Sequence, residues 1–219
     1  MTAEAYIALT QPSIIELLLI TTVPAMVIAA GGWPPLTLIL FTLLGGTLSA
    51  AGANTLNCVY DADIDLQMRR TRSRPMARHE VSPEKATIFG IALGVAGFVV
   101  LWWTSNLLAA VLSTSALLFY VFVYTMWLKR RTPQNIVIGG AAGAAPALVG
   151  WAAVTGSLSV TPWILFLIVF YWTPPHFWAL AVRYKDDYAR AGVPMLPVTD
   201  GVSVTTRRML LYTGLMVGV

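Results

Sequence analysis

The chain has 219 residues, 57% of them hydrophobic and only 11% charged, with a net charge of +4 and a mean hydropathy of +0.72. Soluble domains carry roughly 25% charged residues, so a soluble enzyme is excluded, and recurring apolar runs of about 20 residues predict a polytopic all-α membrane protein. The single cysteine, Cys58, excludes an intrachain disulfide.

Taken in order, residues 1–13 hold no basic residue, which argues against a secretory signal or an Arg-rich transit peptide. A first helix is predicted over residues 13–30, with Pro24 inside it as a kink. Glu16 reads as an interfacial carboxylate on the first turn, where the helix dipole favours it. A second helix begins near Leu36 and is predicted to run on through Asn54 and Asn57 into an acidic cluster.

That cluster, NCVYDADIDLQMRRTRSR over residues 57–74, is the most informative stretch of the chain. Asn57, Asp61 and Asp65 recur every four residues, and on a helix such steps share one face. Asp63 sits across the axis from them. Arg69, Arg70, Arg72 and Arg74 follow directly. An acidic face followed by a basic run suits a metal held together with a highly charged anion, and carboxylates at the membrane interface are costly enough to suggest function.

Ser82, Pro83 and Glu84 give the third helix a sharp start, as N-cap, first helical residue and first-turn acid. The fourth follows residues 102–106 and ends at residues 127–128. Thr132–Pro133 and Thr161–Pro162 repeat a cap-then-proline start for the fifth and sixth. Gly139 and Gly143, in G-x-x-x-G spacing, predict close backbone packing on the fifth. A seventh helix is expected to open after Arg208 and to be cut short at Val219, about half a span in.

All fourteen basic residues lie within residues 69–85, 129–131 and 183–208. The connections at residues 30–35, 104–106 and 155–161 carry no charge. Such asymmetry places the charged loops, and with them the N-terminus, on the cytoplasmic side, with a bacterial cytoplasmic membrane as the default. It also argues against nucleic acid as a partner. Trp33, Trp102, Trp103, Trp151 and Trp163 gather at the opposite side, as an aromatic belt does.

A second acidic–basic cluster, Arg183, Tyr184, Lys185, Asp186, Asp187, Tyr188 and Arg190, lies four helices later on the same side. The two loops either close over one ligand or are simply solvated. The spacing of Asn57, Asp61 and Asp65 favours a shared site.

The pattern Asn57-x3-Asp61-x3-Asp65 resembles the first diphosphate-binding motif of the UbiA-type intramembrane prenyltransferases. Further stretches resemble the haem-modifying branch of that superfamily, the protohaem IX farnesyltransferases. They are DLQMRRTRSRPM over residues 65–76, LKRRTPQNIVIGG over 128–140, WTPPHFW over 172–178, and KDDY followed by AGVPMLPV over 185–198. The likeness implies a single prenyltransferase domain over residues 1–219, within a nine-helix bundle of which six helices and part of a seventh are present. It implies transfer of a farnesyl group from farnesyl diphosphate to a vinyl group of protohaem IX, giving haem O, with haem A synthase a candidate partner in the lipid bilayer.

By the same resemblance Mg²⁺ is the expected cofactor, held by Asp61, Asp65 and one or both of Asp186 and Asp187. Asn57, Arg70, Arg74 and Lys185 are the candidate diphosphate groups, with Asp61, Asp65, Lys185 and Asp186 carrying catalysis. The usual second motif, D-x3-D, is not met after Asp186 or Asp187, which leaves open which of the two ligates metal. Tyr60 and Tyr184 are candidate shields for an allylic cation. His176 is either a haem contact or a hydrogen-bonded core histidine. The competing readings are a related enzyme with a quinone precursor or chlorophyllide as acceptor, and a transporter. A transporter predicts charge along a midplane pathway, not on one face.

Overall fold

Among the described residues, six helices are long and apolar enough to cross a membrane, and they set the architecture. The structure is a computed structural model that describes residues 3–219. A short helix α1 (Ala3–Thr10) leads into α2 (Pro12–Ala30). The long α3 (Leu36–Tyr60) is followed by a short α4 (Ala62–Gln67) and an irregular basic loop. After α5 (Pro83–Thr104), α6 (Leu107–Leu118) continues as a π-helical segment, Phe119–Leu128. Then come α7 (Asn135–Thr155), α8 (Val160–Arg183), two short helices α9 (Lys185–Arg190) and α10 (Leu196–Thr199), and α11 (Gly201–Gly218). No strand occurs among the described residues. The protein is an all-α, multi-pass membrane protein.

The predicted starts hold with small shifts. Ser82 does cap α5, its hydroxyl accepting from the Lys85 amide at 3.5 Å. Asn106 caps α6 in the same way, at 2.9 Å from the Ala109 amide. Thr132–Pro133 does not open α7, because those residues form a turn whose Thr132 carbonyl accepts from the Asn135 amide and side chain. The last helix opens at Gly201, ahead of Arg207 and Arg208, so the arginines lie within it. Glu16 is exposed, as an interfacial carboxylate should be. Trp33 and Trp103 are 80% and 83% exposed, consistent with an outward-facing belt.

Close packing of the bundle rests on glycines, though not on the pair the spacing suggested. Around Gly143 there is open space, while Gly139 lies under the Tyr124 ring. Helices α3 and α5 approach closely through two glycine pairs. A Cβ on Gly52 would stand 2.6 Å from the Gly90 carbonyl, and one on Gly97 would stand 2.8 Å from that of Gly45.

Three apolar clusters close the bundle. Leu101, Ala109, Ala110, Val149, Ala152 and Ala153 pack at the uncharged end. At the charged end, Leu9, Cys58, Met76 and Val81 join α1 to α3 and the basic loop. Ile64, Met68, Ile136, Trp178, Tyr188 and Leu196 join α4 to α7, α8, α9 and α10. Both charged loops are therefore fastened from beneath by hydrophobic burial, and are not free in solvent.

Gly52→Ala is expected to destabilise the protein by about 1–3 kcal/mol, since a methyl has no room against the α5 backbone. Thermal unfolding in detergent measures this. Gly143→Ala, at the open position, should leave the transition unchanged.

Candidate functional site

The long α3 does not run unbroken into the acidic cluster. Asp61 turns out of it (φ −92°, ψ 7°) and α4 begins at the next residue. The helical bonding nevertheless carries across the break. The Asp61 amide donates to the Asn57 carbonyl at 2.9 Å, and the Asp65 amide to that of Asp61 at 2.8 Å. The four-residue register survives, so Asn57, Asp61 and Asp65 do share one buried face, at 4%, 0% and 2% exposure. The Asp63 side chain points away, 61% exposed.

A carboxylate without solvent must be paired. Lys129, from the end of the π-helical segment, makes a short ion pair with Asp61 Oδ2. Burial works against the Lys129 ammonium, but Asp61 beside it outweighs that and raises its pKa above the ordinary lysine value. Asn57 Nδ2 donates to the same Oδ2 at 2.7 Å and lies 3.1 Å from Thr125 Oγ1. The other oxygen, Asp61 Oδ1, has the Arg130 guanidinium at 3.8 Å and no hydrogen bond. Arg130 is committed elsewhere: it forks onto both oxygens of Asp63 at 2.7 Å and holds that carboxyl below its usual range.

Asp65 has its own cation. Arg74 Nη1 reaches its two oxygens at 3.1 and 2.9 Å, and Nη2 donates to Gln11 Oε1 at 2.9 Å. Burial opposes the Arg74 charge, and Asp65 more than restores it.

The second loop meets the first through Asp187. This residue is buried, its Oδ2 accepts from the Arg69 backbone amide at 3.1 Å, and Arg190 pairs with its Oδ1. Asp186, on the exposed side of α9, is not brought to the cluster, and Lys185 opens α9 half-buried. The Tyr184 ring lies under two guanidiniums, Arg70 at 6.0 Å and Arg183 at 5.6 Å. Tyr60 likewise lies under Arg130 at 4.9 Å. Both rings are thus occupied at the rim. The stacked pair Tyr120–Tyr124, with centroids 5.2 Å apart, sits on the π-helical segment that also carries Thr125. His176 is exposed and stacked on Trp172 at 4.4 Å, so it is not a core histidine.

Lys129, Thr125, Gln11 and the tyrosine pair were not picked out from sequence. Lys129 stood in a three-residue basic run that gave no sign of which member turns inward. Among the described residues no three His, Cys, Asp or Glu groups converge tightly enough to enclose a cation alone. A Mg²⁺ ion does not need that, since it takes one or two carboxylates with waters and phosphate oxygens. Hard oxygen donors with the unpartnered Asp61 Oδ1 among them fit such an ion.

Comparison with known proteins gives the family. The UbiA prenyltransferase family model matches residues 18–219. A protohaem IX farnesyltransferase from Rhodococcus jostii is 59% identical over 97% of the chain and 71% of its own length. Protohaem IX farnesyltransferase 2 from Saccharopolyspora erythraea is 56% identical over 98% of the chain and 66% of its own. The chain thus spans about two thirds of these curated relatives. Among solved structures, a UbiA homologue from Archaeoglobus fulgidus bound to DMAPP and Mg²⁺ has a TM-score of 0.73 at 19% identity, covering 97% of this chain and 75% of that one. A digeranylgeranylglyceryl phosphate synthase has a TM-score of 0.74 at 21% identity, with the same coverage. At these identities they bear on the fold alone.

Lys129→Met leaves a fully buried carboxylate without its main cation and is expected to cost about 3 kcal/mol. Adding Asp61→Asn should recover most of that loss. Because the Lys129 pKa is raised, the Lys129 charge in the wild-type pair is kept through neutral pH and is lost as pH rises through its folded-state value. Detergent unfolding of the two variants checks the cycle. A single variant as stable as wild type would show that the pair does not hold the site.

Proposed function

The chain belongs to the UbiA prenyltransferase family, and from that we propose that it transfers the farnesyl group of farnesyl diphosphate to a vinyl group of protohaem IX, giving haem O for a haem A synthase to use. The acceptor follows from relatives 56–59% identical that carry that activity in their names. The observation that carries the site is the joining of two charged loops, through Asp187 and the Arg69 amide, over three buried polar residues. The grouping of charge on one face, and relatives from bacteria, support a bacterial cytoplasmic membrane with that face in the cytoplasm.

In this reading Asn57, Asp61, Asp65 and Asp187 hold the metal–diphosphate pair, while Asp186 stays outside it. A bound Mg²⁺ would neutralise phosphate oxygens and make diphosphate a better leaving group. Arg70, Arg74, Lys129 and Lys185 balance the negative charge that grows on diphosphate as the C1–O bond breaks. Asp61 and Asp65 release their resident cations to the diphosphate when substrate arrives. The Tyr120–Tyr124 faces lie on the segment beside the carboxylates and can stabilise the farnesyl cation. The terminal vinyl carbon of protohaem bonds to C1, water adds at the neighbouring carbon, and a proton leaves. His176, exposed and aromatic-stacked on α8, is assigned to the haem side.

Asp61→Ala and Asp65→Ala should each abolish haem O formation, followed by mass spectrometry, while the protein still inserts. Haem O at near-normal yield from either variant would remove these residues from the mechanism.

Since Asp61 and Asp65 already carry cations, Mg²⁺ alone should bind weakly, and inorganic diphosphate should strengthen its binding about tenfold or more. Mn²⁺ titration followed by electron paramagnetic resonance, with and without diphosphate, reads this directly. Equal affinity in both conditions would contradict the resident-cation account.

A further inference from the structure

Gln11 stands at the junction of α1 and α2, outside every charged loop, yet its side chain reaches into the site. Its backbone is left-handed, φ 52° and ψ 65°. That conformation is uncommon for a residue with a Cβ and costs energy unless the surroundings hold it. Here α3 holds the junction: Asn54 Nδ2 donates to the Thr10 carbonyl at 2.8 Å, and Cys58 Sγ faces the Leu9 carbonyl at 3.8 Å. The amide of Gln11 is used at both ends. Its Oε1 accepts from Arg74 Nη2 at 2.9 Å, and its Nε2 donates to Cys58 Sγ at 3.1 Å.

The geometry points to Gln11 as a positioning residue for the diphosphate site. It fixes the plane of the Arg74 guanidinium so that Nη1 faces Asp65. Without Gln11, only the single nitrogen Nη1 ties Arg74 to Asp65, and the guanidinium is free to pivot about it. A neutral acceptor suits the task. It orients Arg74 without neutralising it, leaving the charge available to an arriving diphosphate, whereas a carboxylate at position 11 would compete for it. The N-terminal helix α1 is then part of the site's scaffold, anchored by Leu9 and Ala5 against α3 and the basic loop.

If Arg74 serves the diphosphate, as proposed above, Gln11→Met should raise KM for farnesyl diphosphate roughly tenfold, the scale of a lost hydrogen bond to a charged group. KM for protohaem should stay near wild type. Acting through Arg74 makes the effect non-additive, so Gln11→Met combined with Arg74→Met should be no worse than Arg74→Met alone. Should Gln11→Met fail to accumulate, Gln11→Glu keeps the length and the acceptor. Its added charge should raise KM for the diphosphate and not for haem. An unchanged KM, a parallel rise for both substrates, or additive losses would each overturn the role of Gln11. An Arg74→Met enzyme with wild-type KM would instead overturn the assignment of Arg74, independently of Gln11.

Discussion

A carboxylate with no exposure to water, at the end of a membrane-spanning helix, is the constraint around which this molecule is arranged. Asp61 cannot be left alone there, because removing a charge from water costs several kcal/mol unless a partner and hydrogen bonds replace the solvent. Lys129, Asn57 and, more distantly, Arg130 supply that replacement. Lys129 comes from a segment 68 residues away. The pairing therefore does more than neutralise charge. It fixes how the end of the π-helical segment sits against α3, and with it the position of Thr125 and Tyr124.

The π-helical geometry is part of the same arrangement. Its i to i+5 bonding, seen in the Lys129 amide donating to the Tyr124 carbonyl at 2.9 Å, widens the turn by one residue. Residues 124 and 129, and likewise 125 and 130, are brought to the same side. A wider segment accommodates on one face Thr125 against Asn57, Lys129 against Asp61 and Arg130 against Asp63. Gly139 opposite has no side chain, which leaves room for the Tyr124 ring.

These features mark where the sequence could be read and where it could not. The spacing of Asn57, Asp61 and Asp65 was legible because it depends only on local helical periodicity, and the break at Asp61 preserved that periodicity. The six spans and the grouping of charge were legible because bilayer thickness imposes them. Which of Asp186 and Asp187 turns inward could not be read, since it depends on the side of a six-residue helix that Tyr188 buries. Lys129 was hidden because its partner is far away in the chain and the wide turn that presents it has no periodic signature. Gln11 was hidden for a related reason: its value lies in an amide that bridges two groups, Arg74 and Cys58, which no local pattern connects. The Gly139–Gly143 spacing misled in the opposite direction, since a motif for close approach carries no information about which helix approaches.

The pairing scheme also bears on how such a site can be both stable and reactive. Each inward carboxylate is matched by a cation: Asp61 by Lys129 and Asp65 by Arg74, both from other segments, and Asp187 by Arg190 of its own helix. A site of three bare carboxylates would repel itself and strain the loops that carry it. A site of fixed, fully hydrogen-bonded pairs would be too well satisfied to admit a substrate. What keeps this one between those limits is incomplete satisfaction, with Asp61 Oδ1 lacking a hydrogen bond and Arg74 held by a neutral amide instead of a second charge. Under the proposed function, an incoming diphosphate with its own cation would exchange with these partners, and the incomplete satisfaction of Asp61 is what leaves room for that exchange.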